Sequence, residues 1–216
     1  MSLEKMNEFF DKRADTYDRH MLVDLQLEEF YEEIANCFPV GTNTLKLLDL
    51  GCGTGLELER LFLKFHDLSV TGIDLSQEML NVLKVKYADK EIKLICGSYF
   101  DVIFKDNYFD YALSTYSLHH FSEEDKIGLY NKVFASLRDG GIYVEGDYIC
   151  KTIEQQLFFI SVNERLRKEN NITDGFYHYD TPFTIETQIK LLKIAGFTDA
   201  QLVKEWESTS IIVARK

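Results

Sequence analysis

Residues 45–66 admit few folds. Leu45, Leu47, Leu48 and Leu50 form an apolar run too short for a helix and long enough for a buried strand. Gly51, Gly53 and Gly55 follow at once, and Leu58, Leu61, Phe62 and Phe65 then recur at helical spacing. Strand, glycine turn and helix together are the setting of a nucleotide-binding loop, because glycines permit positive φ and let backbone N–H groups approach a ligand. The spacing is G-x-G-x-G, without the later glycine of a dinucleotide fold, and no G-K-[S/T] follows, which excludes a P-loop. Asp49, two residues before the first glycine, would repel a pyrophosphate but suits a cationic, amine-bearing ligand. Asp74 ends the next apolar run, where an acid can accept hydrogen bonds from both ribose hydroxyls. The two acids favour S-adenosylmethionine (SAM) over NAD.

The alternation continues downstream. Residues 68–73, 92–96 and 108–114 read as further strands, and 142–144 opens a fifth after a turn at 139–141. Between them, Ser76 caps a helix carrying Met79, Leu80, Leu83 and Tyr87, and Ser122 starts one that runs to Leu137. Short strands alternating with amphipathic helices imply parallel βαβ units and a doubly wound α/β sheet. Residues 3–36 read as helical with a break at 13–18, followed by a turn at 39–43. Thr152-Ile-Glu-Gln155 is a capping box opening a helix to about residue 168. Residues 170–183 are irregular and aromatic, 184–195 form a last helix ended by Gly196, and 202–206 can pair antiparallel with 209–213. With no repeat or linker, residues 1–216 are expected to form one domain, with N-terminal helices serving as a lid at 1–40 and a helical and aromatic cap at 151–183.

With these elements in place, the chain resembles the class I SAM-dependent methyltransferases over nearly its whole length. The matching pieces are Leu47-Leu-Asp49-Leu-Gly51-Cys-Gly53-Thr-Gly55, Thr71-Gly-Ile-Asp74-Leu-Ser-Gln-Glu-Met79-Leu, Phe109-Asp-Tyr-Ala-Leu-Ser-Thr115-Tyr-Ser-Leu-His119-His120-Phe, and Leu137-Arg-Asp-Gly-Gly141. The resemblance implies a Rossmann-like, seven-stranded sheet with its last strand antiparallel, SAM as methyl donor and S-adenosylhomocysteine (SAH) as product. It implies that the loop from Gly51 through Cys52 and Gly53 to Gly55 passes beneath the methionine moiety, with Asp49 near its amino group. Asp74 would hold the ribose, and Leu75 and Met79 would line the adenosine. Where the family often has an acid after the third strand, this chain has Gly97-Ser98-Tyr99, so adenine recognition falls to Ser98, Tyr99 or backbone groups. The segment from Phe10 to Asp18 resembles one that folds over SAM in small-molecule members, which makes Tyr17 either a lid residue or a packed aromatic. The C-terminal third is similar to a narrower branch related to the carboxy-SAM synthases of transfer RNA modification. Those synthases need an arginine from the segment before the Thr184-Ile-Glu-Thr motif, yet residues 169–189 contain no Lys or Arg. Ordinary SAM and methyl transfer are therefore expected, with the narrower resemblance adding a homodimer as the alternative to a monomer.

Ligands of open α/β sheets bind at the carboxyl ends of the strands, where Asp49, Asp74, Gly97, Thr115, Tyr116 and Glu145 fall. His119, His120 and Glu145 are the candidate catalytic residues, and the His pair can equally serve to pack the loop. Asp147 reads as a surface-loop residue. Tyr116, Phe176, Tyr177 and His178 are candidates for a substrate pocket, or else they seal the cap over the sheet. Cys37, Cys52, Cys96 and Cys150 are far apart, so neither a metal site nor a disulfide is expected, and a reducing cytoplasm fits. No apolar run reaches membrane-span length and no signal peptide is apparent, so no membrane partner is expected. A net charge of −12 disfavours nucleic acid. The expectation is a cytoplasmic SAM-dependent methyltransferase acting on a small-molecule acceptor through an O-, N- or C-nucleophile. The alternatives are a transfer RNA-modifying enzyme related to carboxy-SAM synthases, or a SAM-binding protein without catalysis.

Overall fold

The first strand, β1 (Leu45–Leu50), carries apolar side chains on both faces, so it must be covered on both. Leu45 and Leu47 pack with Phe30, Ile34, Leu58 and Leu61, whereas Leu48 and Leu50 pack with Leu129, Val133 and Leu191. That is the period-two alternation of a strand between two helical layers. Helices α3 (Glu28–Asn36), α4 (Leu56–Lys64) and α5 (Gln77–Lys86) supply the first layer. Helices α6 (Glu123–Ser136) and α8 (Ile185–Ile194) supply the second. The computed structural model describes residues 3–40 and 44–216, so the turn expected at 39–43 lies partly outside the described residues.

The remaining strands are β2 (Leu68–Asp74), β3 (Ile92–Cys96), β4 (Phe109–Thr115), β5 (Leu137–Tyr148), β6 (Asp199–Glu205) and β7 (Thr209–Arg215). They form one seven-stranded sheet in the order β3-β2-β1-β4-β5-β7-β6. The first five pair in parallel, and β7 enters between β5 and β6 antiparallel to both, the Rossmann-like pattern the sequence predicts. Residues 139–141, expected as a turn, instead bulge from β5. Its pairing with β4 jumps from Phe109↔Leu137 to Tyr111↔Ile142, leaving residues 138–141 outside the backbone ladder with β4. Ser76 and Ser122 cap α5 and α6 as expected, each accepting a bond from the N–H three residues on.

The N-terminal segment is more broken than its periodicity predicts. It forms α1 (Met6–Asp11), α2 (Ala14–Arg19) and one π-helical stretch (His20–Asp24) before α3. Tertiary contacts compete with a continuous helix here. Asp11 Oδ1 accepts bonds from Ser76 Oγ (2.6 Å) and the Glu78 N–H (3.3 Å), and the Asp18 carboxylate pairs with Thr54 Oγ1 and Lys86 Nζ. After α7 (Ile153–Glu169), the aromatic segment returns to this region: Met6 N donates to Phe176 O and His178 N to Glu4 O, both at 3.0 Å. Helices α1 and α2 are thereby tied to the sheet's carboxyl edge on one side and to the C-terminal third on the other. Among the described residues, no helix is long and apolar enough to cross a membrane.

Candidate functional site

The sheet runs outward in opposite directions from β1 and β4, and at such a switch point the strand ends open into a crevice. Gly51 sits there at φ +73°, and a Cβ on it would stand 2.1 Å from Ser117 Oγ, so no larger residue fits. Gly51, Gly53, Asp74, Leu75, Met79, Tyr99, Thr115 and Tyr116 line a cleft with about 50 Å³ of free space. Met6, Phe10 and Tyr17, from α1 and α2, roof it. Asp74 Oδ2 accepts from the Gly53 N–H (2.9 Å) and Oδ1 from the Ser76 N–H (2.8 Å). A carboxylate has about four acceptor positions, so two remain. Burial pushes the Asp74 carboxyl up to about 6, against the pull of those two N–H groups.

Asp49 shares the face of Leu45 and Leu47 and lies fully buried behind the glycine loop, off the cleft wall. Among the described residues, no N–H or hydroxyl reaches either of its oxygens. Its neighbour is the buried Glu57 of α4, whose Oε2 accepts from Thr115 Oγ1 at 3.2 Å. Burial holds both carboxyls above the usual range, and the charge of Glu57 raises Asp49 further. Asp74, on the wall with acceptor positions to spare, suits a ribose, so the cleft fits the nucleoside part of SAM, whereas Asp49 stands behind the loop and does not reach the cleft as expected. Of the other loop residues, Gly55 (φ +73°) begins α4 and accepts from Tyr87 Oη at 2.8 Å, and Cys52 packs against Gly72. Gly97 and Ser98 are off the wall, Ser98 Oγ accepting from the Phe100 N–H at 3.1 Å.

A larger cavity of about 540 Å³ shares Phe10, Tyr17, Tyr116 and His120 with the cleft. Its other walls include Phe9, Tyr148, His119, His178 and Asp180, with Arg13 and Arg19 also lining it. Tyr116 holds φ +46°, a left-handed conformation uncommon for so bulky a side chain, and its N–H donates to Gly146 O at 2.8 Å. At the polar end, His119 Nδ1 lies 2.5 Å from Asp147 Oδ1. Asp147 is locked in turn by the N–H groups of Leu118 (2.9 Å) and Tyr148 (2.8 Å). His119 Nε2, His120 Nδ1 and His178 Nε2 stand 3.5, 3.4 and 3.8 Å from Asp180 Oδ1. Burial pulls His119 down, but Asp147 and Asp180 outweigh it and push it up to about 9. Burial, then the charge of His119, press His120 down to about 3. His178, stacked on Phe9 with ring centroids 3.5 Å apart, is lowered by burial, which favours the neutral ring.

Three further expectations need correction. Glu145 reaches neither cavity; it shares the face of Tyr143 and accepts from Tyr130 Oη (2.7 Å), Tyr143 Oη (2.8 Å) and Gln188 Nε2 in the layer of α6 and α8. Asp147 is buried beneath His119 rather than exposed on a loop. Phe176 and Tyr177 face the far side of His120, lining a separate space of about 610 Å³ with Phe121 and Asn163, while His178 alone of that trio lines the aromatic cavity. The sequence reading missed Glu57, Phe9, Tyr148 and Asp180, and it did not foresee that His119, His120 and Asp180 bring ligand atoms within 4.8 Å of one another. The available signals were faint: Asp180 follows His178 by two residues, and Asp147 lies two residues beyond Glu145 on the same face of β5.

A family model described as a methyltransferase domain matches residues 47–141. The chain is 31% identical to an uncharacterised methyltransferase of Bacillus mycoides (strain KBAB4), across 69% of this chain and 74% of that one. It is 24% identical to a carboxy-S-adenosyl-L-methionine synthase of Nautilia profundicola, across 99% of this chain and 96% of the relative. Among solved structures it superposes, with a TM-score of 0.72 at 20% identity, on a Nostoc punctiforme protein provisionally assigned as an O-methyltransferase. That match covers 100% of this chain and 63% of the solved one.

Proposed function

The chain belongs to the class I SAM-dependent methyltransferases, and within that family we propose that it methylates a small acceptor with an aromatic or apolar body and one protic nucleophile, such as a phenolic hydroxyl. One observation carries this reading: the cleft beneath the glycine loop and the aromatic cavity meet at Phe10, Tyr17, Tyr116 and His120. A sulfonium in the cleft and an acceptor in the cavity would face each other there. Gly51, Gly53 and Asp74, with the buried Asp49–Glu57 pair behind them, would hold the donor. Aromatic walls from Phe9, Phe10 and Tyr148 would hold the acceptor's body, and Arg13 and Arg19 favour a carboxylate on it.

Supplied with SAM, the site needs mainly alignment, since the sulfonium carries a good leaving group. The acceptor oxygen forms the new O–C bond, the S–CH3 bond breaks with its electron pair left on sulfur, and the hydroxyl proton departs. His178 is the candidate proton acceptor, because burial favours its neutral ring and it lines the cavity, whereas His119 is already engaged by Asp147.

The test is SAH formation from SAM, read by mass spectrometry, across a panel of phenols, hydroxylated aromatic acids and amines, with transfer RNA in a parallel arm. Turnover with hydroxylated aromatics is expected, and His178→Gln should lower kcat by roughly 10²- to 10⁴-fold with the KM for SAM unmoved. Methyl transfer to transfer RNA alone, or SAM binding with no turnover across the panel, would sink the proposal.

A further inference from the structure

We propose that His119, His120 and Asp180 form a binding site for one divalent transition-metal ion of the zinc class, set at the wall between the cofactor cleft and the aromatic cavity. The donor atoms converge on one carboxylate oxygen: His119 Nε2 and His120 Nδ1 lie 3.5 and 3.4 Å from the same oxygen of Asp180, beyond the range of a good hydrogen bond. The 3.2 Å contact of His120 Nδ1 with Tyr179 O is the one it would give up to a metal. Bonds of about 2.0–2.1 Å in tetrahedral geometry place neighbouring donors roughly 3.3 Å apart, close to what is seen. Asp180 Oδ1 is itself a buried oxygen with no hydrogen bond, although imidazoles surround it. His120 is buried as well, and its Nε2 has no partner.

The outer contacts point the same way. A metal-bound histidine characteristically gives its other ring N–H to a carboxylate, which fixes the ring and its tautomer. His119 Nδ1 meets Asp147 Oδ1 at 2.5 Å, and Asp147 is held by two backbone N–H groups, so Nε2 is aimed at Asp180. Two imidazoles and one carboxylate leave one position open on a four-coordinate ion, and the open side faces the cavity. Two imidazoles and a carboxylate with no thiolate suit Zn²⁺, Fe²⁺, Co²⁺ or Ni²⁺ better than Ca²⁺ or Mg²⁺. The site's existence is independent of the proposed acceptor. Its role, orienting and acidifying a hydroxyl opposite the sulfonium, rests on that reading.

Full-length protein freed of metal by chelation would be titrated with Co²⁺ and then Zn²⁺, with SAM binding measured on the same samples. One equivalent per chain is expected, with a visible Co²⁺ absorption band that Zn²⁺ abolishes. His119→Ala and Asp180→Ala should each weaken binding at least about 100-fold. Asp147→Asn, which removes only the outer carboxylate, should weaken it roughly 10- to 100-fold. The exposed His66→Ala serves as the control and should leave affinity unchanged. Retained SAM binding shows that a variant is folded. Absence of stoichiometric binding by the wild-type protein, or unchanged affinity in folded His119→Ala and Asp180→Ala, overturns the site. Wild-type protein that binds SAM but takes up neither Co²⁺ nor Zn²⁺ would overturn the site while leaving the methyltransferase reading intact.

Discussion

Asp74 can accept bonds from ribose hydroxyls only through a carboxylate, and burial has already moved its carboxyl up to about 6. Because the folded value exceeds the ordinary 3.8, this group's contribution to stability is full below that value and is lost as pH rises through about 6. SAM binding should work in the opposite sense, since the ligand's donors favour the ionised form. SAM affinity measured by calorimetry is predicted to be flat above about pH 6 and to fall about tenfold per unit below it. Asp74→Ala should weaken SAM by roughly 10- to 100-fold, the worth of hydrogen bonds to a charged group, and remove the pH dependence. An unchanged profile in the variant would relocate the ribose elsewhere. Asp74 was legible because it ends a strand that parity places beside the glycine turn. Glu57 and Asp180 were not, because each matters only through a partner: Asp49 for one, and histidines some sixty residues upstream for the other.

The first four strands and the helices of both layers follow from local periodicity, whereas β5 begins at Leu137 and β6 at Asp199, five and three residues before the expected positions. Failures came where tertiary contacts decide the backbone: the N-terminal helices break at residues that reach across the cleft, and β5 absorbs a glycine-rich bulge instead of turning. Helices α1 and α2 roof the cleft, yet α1 has only six residues and would be marginal in isolation. Its hold on the cofactor side is Asp11, bonded to Ser76 and Glu78 at the start of α5. Asp11→Ala is predicted to raise the SAH dissociation rate several-fold in stopped-flow measurements and to speed tryptic cleavage after Arg13 and Arg19. Global stability should change by only about 1 kcal/mol, as for loss of one helix-end contact. Unaltered dissociation would mean that the N-terminal helices do not gate the cleft.

At the scale of the molecule, the design is a mostly parallel seven-stranded sheet whose switch point holds a narrow cleft, with a wider aromatic cavity opening beside it under the N-terminal helices. The cleft was legible from one glycine loop and Asp74, while Asp49, the other acid singled out, stands behind the loop. The cavity was not, because its walls come from α1, α2, the loop after β4 and the irregular segment after α7, which only folding brings together. A structure of the protein with SAH tests this arrangement most directly. The sulfur is predicted to lie in van der Waals contact with Tyr116 or His120 and to face the aromatic cavity, with the ribose on Asp74. A sulfur turned toward Phe176 and Asn163, or sealed from the cavity by the glycine loop, would contradict the account.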